Sequence, residues 1–226
     1  MRTEVVVFDI DDTLYLERDY VASGFAAVEA ELGIPGFASV AWDGFLRGRR
    51  GRIFDDALAE LGVRADIGRM VWTYRNHQPH IAILPDALKA LNDLDALGIT
   101  TAFLTDGPVV SQAAKVRALG LSAFASSIVL TDALGPGCGK PSPQGFLRIA
   151  KETGASSLAY VADNPAKDFA GPGRLGWTTV RVRREGGLHY ALTGDDDIDV
   201  TTPRLSNLTA LLAGIPATTT ATITNL

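Results

Sequence analysis

The chain has 226 residues, 46% hydrophobic and 21% charged, enough apolar material for one α/β core of ordinary size with a smaller accessory unit. Acidic residues (26) outnumber lysines and arginines (21), and the net charge of −5 argues against a general nucleic-acid binder, which draws its affinity from neutralising phosphates, while leaving room for a local basic pocket that takes a small anion. The one cysteine, Cys138, rules out an intrachain disulfide and reads as a small residue in a Gly-rich loop; no segment approaches the roughly 20 apolar residues of a membrane span, and a cytoplasmic protein is expected.

Val5–Phe8 is an unbroken apolar run, the mark of a strand covered on both faces, and it stops at Asp9-Ile10-Asp11-Asp12. Residues 19–76 read as several short helices. Val21, Phe25, Val28 and Leu32 recur at helical spacing before Gly33; Ile53, Ala57, Leu58 and Leu61 do so before Gly62; Ile67, Met70, Val71 and Tyr74 form a third stripe. Trp42 and Trp72 are read as packing inside this segment. From Pro85 the pattern becomes regular. A helix with Leu88, Leu91 and Leu94 is closed by Gly98, and a strand over 100–104 ends at Thr105-Asp106-Gly107. A helix over 109–119, a strand over 127–130 and a helix over 142–153 follow. The strand Leu158–Ala162 ends at Asp163, Thr178–Val182 is the last strand, and 205–212 the last helix. Residues 217–226, rich in Thr and lacking charge, read as a tail.

Alternating strands and helices imply a doubly wound, Rossmann-like parallel sheet with right-handed crossovers. Ligands of such sheets sit beyond the carboxyl ends of the strands. The residues there are Asp9 and Asp11, Thr105, and Asp163: carboxylates and a hydroxyl at one sheet edge.

Four motifs then carry a resemblance. Phe8-Asp9-Ile10-Asp11-Asp12-Thr13, Leu104-Thr105-Asp106-Gly107, Lys140-Pro141-Ser142-Pro143 and Val161-Ala162-Asp163-Asn164-Pro165-Ala166-Lys167-Asp168 stand in the order of the haloacid dehalogenase superfamily motifs. The chain resembles that family over about residues 4–15 and 84–183. The resemblance implies a catalytic core of residues 1–15 and 84–216, interrupted at 16–83 by a small α-helical cap of the subfamily I type.

It also implies a Mg²⁺-dependent phosphatase acting on a small phosphorylated metabolite. Asp9, fixed at the end of a buried strand, suits a nucleophile that forms an aspartyl-phosphate. Asp11 is the general acid/base, and Lys140 supplies a point charge to Asp9 and the phosphoryl oxygens. Thr105 offers a hydroxyl, and backbone N–H groups around Ile10, Asp11, Asp106 and Gly107 serve the remaining oxygens. Mg²⁺ is assigned to the carboxylates of Asp9 and Asp163, and by resemblance to the Asp11 carbonyl and Asp168. Thr13 positions the Asp11 turn at the phosphate, and Asp12 serves turn geometry.

In the cap, the run Arg47, Arg49, Arg50 and Arg52 reads either as a solvated helix end or as a grip on an anionic group, with Arg49 the candidate. Arg75 and His77, near the return to the core, reach the substrate or pack the hinge. His189 and Tyr190 read as loop residues without a role. Haloacid dehalogenases lack the second aspartate of the first motif, so Asp11 points to phosphate. Phosphonate cleavage needs a cap lysine, and no lysine occurs before Lys89. A sugar-phosphate mutase shares Asp9 and Asp11 and stays open. A receiver-type phosphoacceptor module is disfavoured, because its acidic pair and its phosphoacceptor follow different strands. Neither a nucleic-acid nor a membrane partner is expected; the phosphate ester and the oligomeric state stay open.

Overall fold

A computed structural model of the chain describes residues 3–194 and 196–214. The expected tail at 217–226 lies outside the described residues. In chain order the elements are β1 (Val5–Phe8), α1 (Glu17–Leu32), α2 (Phe37–Leu46), α3 (Ile53–Leu61), α4 (Ile67–Asn76), α5 (Pro85–Ala96), β2 (Thr100–Thr105), α6 (Val109–Ala118), β3 (Ala125–Leu130), α7 (Gln144–Thr153), β4 (Leu158–Ala162), α8 (Ala170–Arg174), β5 (Thr178–Val182), β6 (Val200–Thr202) and α9 (Leu208–Gly214).

The strands form a six-stranded parallel sheet in the order β3-β2-β1-β4-β5-β6. Every residue of β1 and β4 is buried, as their unbroken apolar runs require. Alternate residues feed two cores. Val6, Phe8, Phe103, Ala159, Val161 and Val180 pack with Ala87, Leu91 and Leu94 of α5, Val116 of α6 and Leu208 of α9. Val5, Val7, Ala102, Leu104, Tyr160 and Ala162 pack on the other face with Phe146 and Ile149 of α7, Phe169 and Trp177. Helices cover both faces, giving the doubly wound α/β fold. The chain leaves β1 toward β2 and β3 on one side and returns to place β4 on the other. That reversal opens a crevice beyond the ends of β1 and β4, with Phe8 in register with Phe103 and Val161.

Helices α1 to α4 bury a third cluster of their own, including Val21, Phe25, Val28, Phe37, Phe45, Phe54, Leu58 and Met70. Gly33 and Gly62 take the left-handed conformation (φ 62° and 66°) that ends α1 and α3, which a side chain at those positions would resist. Tyr74 packs against both this cluster and the first sheet core. Among the described residues no helix is long and apolar enough to cross a membrane.

The structure departs from the sequence reading in several places. Trp72 is not core: it is 63% exposed, on the side of α4 away from Met70. Trp42 is part-buried and stacks on Phe45, with ring centroids 5.4 Å apart. The short α8, the three-residue β6 and α2 as a separate helix were not read from sequence. The helix expected from 205 begins at Leu208, and the helix expected from 142 begins at Gln144, because Ser142 closes a turn on the Gly139 carbonyl.

Candidate active site

A cavity of about 320 Å³ opens at the crevice. Its wall includes Asp9, Asp11, Thr105, Asp106, Gly107, Asp163, Lys115, Lys167, Glu17, Tyr74 and Arg75. Asp9 continues the line of β1, its backbone N–H donating to the Val161 carbonyl at 2.9 Å. The carboxylate is thereby aimed from the sheet rather than carried on a loop.

Carboxylate oxygens of Asp9, Asp163 and Asp168 lie within 4.8 Å of one another, and all three residues are buried. Lys140, also buried, donates from Nζ to Asp9 Oδ1 at 2.5 Å and to the Tyr160 hydroxyl at 3.1 Å, and pairs with Asp168 Oδ1 at 2.7 Å. Asp168 Oδ2 accepts from the Asn164 N–H at 3.0 Å, closing the turn after β4. Burial would lower the Lys140 pKa, but Asp168 and Asp9 hold it well above the usual range. Burial pushes the Asp9 carboxyl up to about 7 against the attraction of Lys140. Asp163 is pushed up to about 10 by burial and by the charges of Asp9 and Asp168, and no donor among the described residues reaches its carboxylate. Three buried carboxylates face the Lys140 ammonium, with Lys167 nearby but bonded to Asp106, and the negative charge that remains is made costly by burial. Oxygens at this spacing, with Asp163 unpartnered, fit a hard divalent cation whose oxygen ligands stand about 2.0–2.6 Å away.

Asp11 faces the cavity from the next turn. Lys115 of α6 donates to both its oxygens, at 2.7 and 2.8 Å, Gln112 donates at 3.3 Å, and the Tyr15 hydroxyl bonds to it closely. Burial alone would raise its pKa, but Lys115 and these bonds hold it below the usual carboxylate range. Thr105 Oγ1 donates to Gln112 Oε1 at 3.0 Å, so Thr105, Gln112 and Asp11 form one chain of bonds. Asp106 receives Thr131 Oγ1 at 2.7 Å, the Lys140 N–H at 3.1 Å and Lys167 Nζ at 3.1 Å. Asp12 adopts a left-handed φ of 53° and accepts from the N–H groups of Glu17 and Leu188, at 2.9 and 2.7 Å.

Not every sequence candidate reaches the cavity. Thr13 is fully buried off its wall, with Oγ1 unpartnered and its carbonyl accepting from Arg184 at 2.9 Å. Arg49 lies off the wall as well and pairs with Asp56 at 3.8 Å. Arg75 is on the wall, its carbonyl held by Ser111 Oγ at 3.0 Å. His189, read as a loop residue without a role, also lines the cavity; Tyr190 does not.

The family model for haloacid dehalogenase-like hydrolases matches residues 3–176, well over half of the chain. The chain is a haloacid dehalogenase-like hydrolase. It is 27% identical to a glyceraldehyde 3-phosphate phosphatase of Methanopyrus kandleri, over 86% of this chain and 90% of that protein. A glyceraldehyde 3-phosphate phosphatase of Methanocaldococcus jannaschii is 26% identical, over 93% of this chain and 97% of its own. Among solved structures, the Bacillus subtilis HAD-hydrolase YfnB, bound to magnesium, shares the fold with a TM-score of 0.70 at 18% identity, covering 95% of this chain and 100% of that one.

Sequence reasoning missed several side chains on this hydrolase's cavity wall. Lys115 and Gln112 had a signal: they are polar residues within the apolar face of α6, beside Ala114 and Val116, and they are buried there. Lys167 stands inside the fourth motif, one residue before Asp168, and was given no task. Glu17 and His189 had no local signal, since each reaches the cavity through a turn held by Asp12.

Proposed function

We propose that this hydrolase is a Mg²⁺-dependent phosphatase of small phosphate monoesters that works through a phosphoaspartate on Asp9. The observation that carries the reading is the pair Asp9 and Asp11 on one cavity wall, the first beside Lys140 and the second held by Lys115. A dehalogenase attacking carbon needs no second carboxylate and no cluster of three. The relatives named as phosphatases support a phosphoric monoester hydrolase.

Asp9, Asp163 and Asp168, with the Asp11 carbonyl, are the groups that would hold the cation. Once bound, a divalent cation neutralises repulsion between carboxylate and phosphoryl oxygens. An Asp9 oxygen attacks phosphorus from the end of β1, forming the Asp9–phosphate bond as the bond to the leaving alcohol oxygen breaks. Lys140, buried beside Asp9, offsets the charge at the attacking carboxylate, and Thr105 on the cavity wall faces the phosphoryl oxygens. Asp11 passes a proton to the departing oxygen; because Lys115 keeps it ionised, that proton arrives with a monoanionic substrate. In the second step Asp11 takes a proton from the water that attacks phosphorus and frees Asp9, and the proton leaves with the released phosphate, returning Asp11 to its ionised form. The four helices of residues 16–83 act as a cap that excludes water during both steps.

The test is release of inorganic phosphate across a panel of phosphorylated small metabolites, with and without Mg²⁺. Release that needs the cation is expected from at least one ester. Chloride release from a haloacid, with no phosphate from any ester, would overturn the reading.

A further inference from the structure

The part of the cavity away from Asp9 receives the alcohol portion of a substrate, and its charges are unevenly satisfied. Asp11 is paired with Lys115, and both oxygens of Asp12 are taken by backbone N–H groups. Lys115 directs two bonds to Asp11 and lies 4.3 Å from the centre of the Tyr20 ring, so its hydrogen bonds go to Asp11 and its charge faces two carboxylates. Glu17, the first residue of α1, lines the same wall; Lys115 attracts it, but among the described residues no group forms a salt bridge or side-chain hydrogen bond with its carboxylate. Burial, with Asp11 nearby, pushes its carboxyl up to about 7 against the attraction of Lys115, the one ammonium it shares with Asp11. Arg75, the other charged group toward this end, is exposed, and solvent screens it. The remaining wall here, Tyr20, Tyr74 and Ser111, offers hydroxyls. A cavity of about 320 Å³ is at the low end of the roughly 300–1,000 Å³ typical of small-molecule pockets, and the phosphate occupies part of it.

We propose that the enzyme selects monoesters of short alcohols bearing hydroxyl or ammonium groups and rejects those bearing a carboxylate, with Glu17 as the discriminating residue. The inference rests on the phosphatase reading above. Glu17 neither attacks nor transfers a proton; it sets the sign of charge that the leaving group is allowed to carry.

Three two-carbon monoesters test it: phosphoethanolamine, glycol monophosphate and phosphoglycolate, which end in an ammonium, a hydroxyl and a carboxylate. They are assayed about one pH unit above the Glu17 value, where its carboxylate is charged, with an aryl phosphate alongside. In the wild-type enzyme kcat/KM for glycol monophosphate should exceed that for phosphoglycolate by ~10²-fold, a modest repulsion for like charges a few ångströms apart. Glu17→Gln should shrink that ratio by about tenfold or more, chiefly by lowering KM for phosphoglycolate. Glu17→Asp, which keeps the charge, should retain the rejection. Wild-type enzyme that hydrolyses phosphoglycolate as well as glycol monophosphate would overturn the assignment, as would an unchanged ratio in Glu17→Gln. Release from none of the four esters would instead overturn the phosphatase reading, and this inference with it.

Discussion

Asp11 is the residue whose surroundings say most about the chemistry. A carboxylate that receives both bonds from one lysine, a third from Gln112 and a fourth from Tyr15 is ordered and ionised, which suits the base of a second step. If that is its work, Asp11→Asn leaves Asp9 able to attack when the leaving group is good. A first-turnover burst of aryl alcohol should survive, and turnover of an alkyl phosphate should fall ~10²–10⁴-fold. Covalent phosphate should then accumulate on Asp9 and show as added mass in the quenched protein. Equal losses on both substrates, with no trapped phosphate, would reduce Asp11 to a turn residue. Thr13 is instructive in the opposite sense. Its buried, unpartnered hydroxyl lies off the cavity wall, and its carbonyl anchors Arg184, which also pairs with Asp86 at the start of α5.

At the scale of elements, α1 and α4 meet where Gly24 faces Tyr74. A Cβ added at Gly24 would stand 2.4 Å from Tyr74 Cε2 and 3.3 Å from His77 Cε1. Tyr74 is wedged among Phe25, Phe54 and Tyr20, so its ring has little freedom to give way. Gly24→Ala should therefore destabilise the fold by ~1–3 kcal/mol, as overpacking generally does. Thermal denaturation should show a drop of roughly 2–4 °C per kcal/mol for a chain of this length. Because Tyr74 also lines the cavity, KM should rise with the displacement of its ring. An unchanged melting temperature would mean that the two helices separate freely. Gly145 plays a matching part in the sheet core, where α7 lies against β2 and a Cβ would stand 2.5 Å from Leu104 Cδ1.

For the whole molecule, the proposed cation site of Asp9, Asp163 and Asp168 would tie folding to cation binding. A ligand that binds only the native state stabilises it, by ~2.7 kcal/mol at one hundred times its dissociation constant. Added Mg²⁺ should raise the melting temperature of the wild-type protein, and chelation should reverse the gain and silence turnover. Asp163→Ala should lose most of that thermal shift, since it removes the carboxylate that no donor among the described residues satisfies. The same shift in wild type and variant would move the cation elsewhere. The carbonyl of Asp163 is fixed by Arg181, a fully buried arginine of β5 that also holds the carbonyls of His189 and Leu192. One side chain thus links the end of β4 to the loop that carries His189 into the cavity.

Five of the six strands, their parallel arrangement and the residues at their ends were legible in the sequence, because those signals are local. An unbroken apolar run such as Val5–Phe8 requires cover on both faces, and the first polar residue after it marks the sheet edge where ligands bind. The periodic stripes likewise located α1, α3 and α4, with glycine stops after the first two. Trp72 shows the limit of that method. It sits two residues from Met70, about 200° around the helix, so its aromatic character implied burial while the helical period placed it in solvent. Contacts between segments far apart in the chain had no local signature. Lys115 meets Asp11 across 104 residues and Leu188 meets Asp12 across 176, the contact that sets the neighbouring His189 at the cavity. Helical periodicity shows that a face is buried, but which partner it meets depends on the crossovers of the sheet. By itself the sequence determined the doubly wound fold and the sheet edge where Asp9, Thr105 and Asp163 stand; the tertiary structure alone decided which charges surround that edge, because a charge is felt through space and not along the chain.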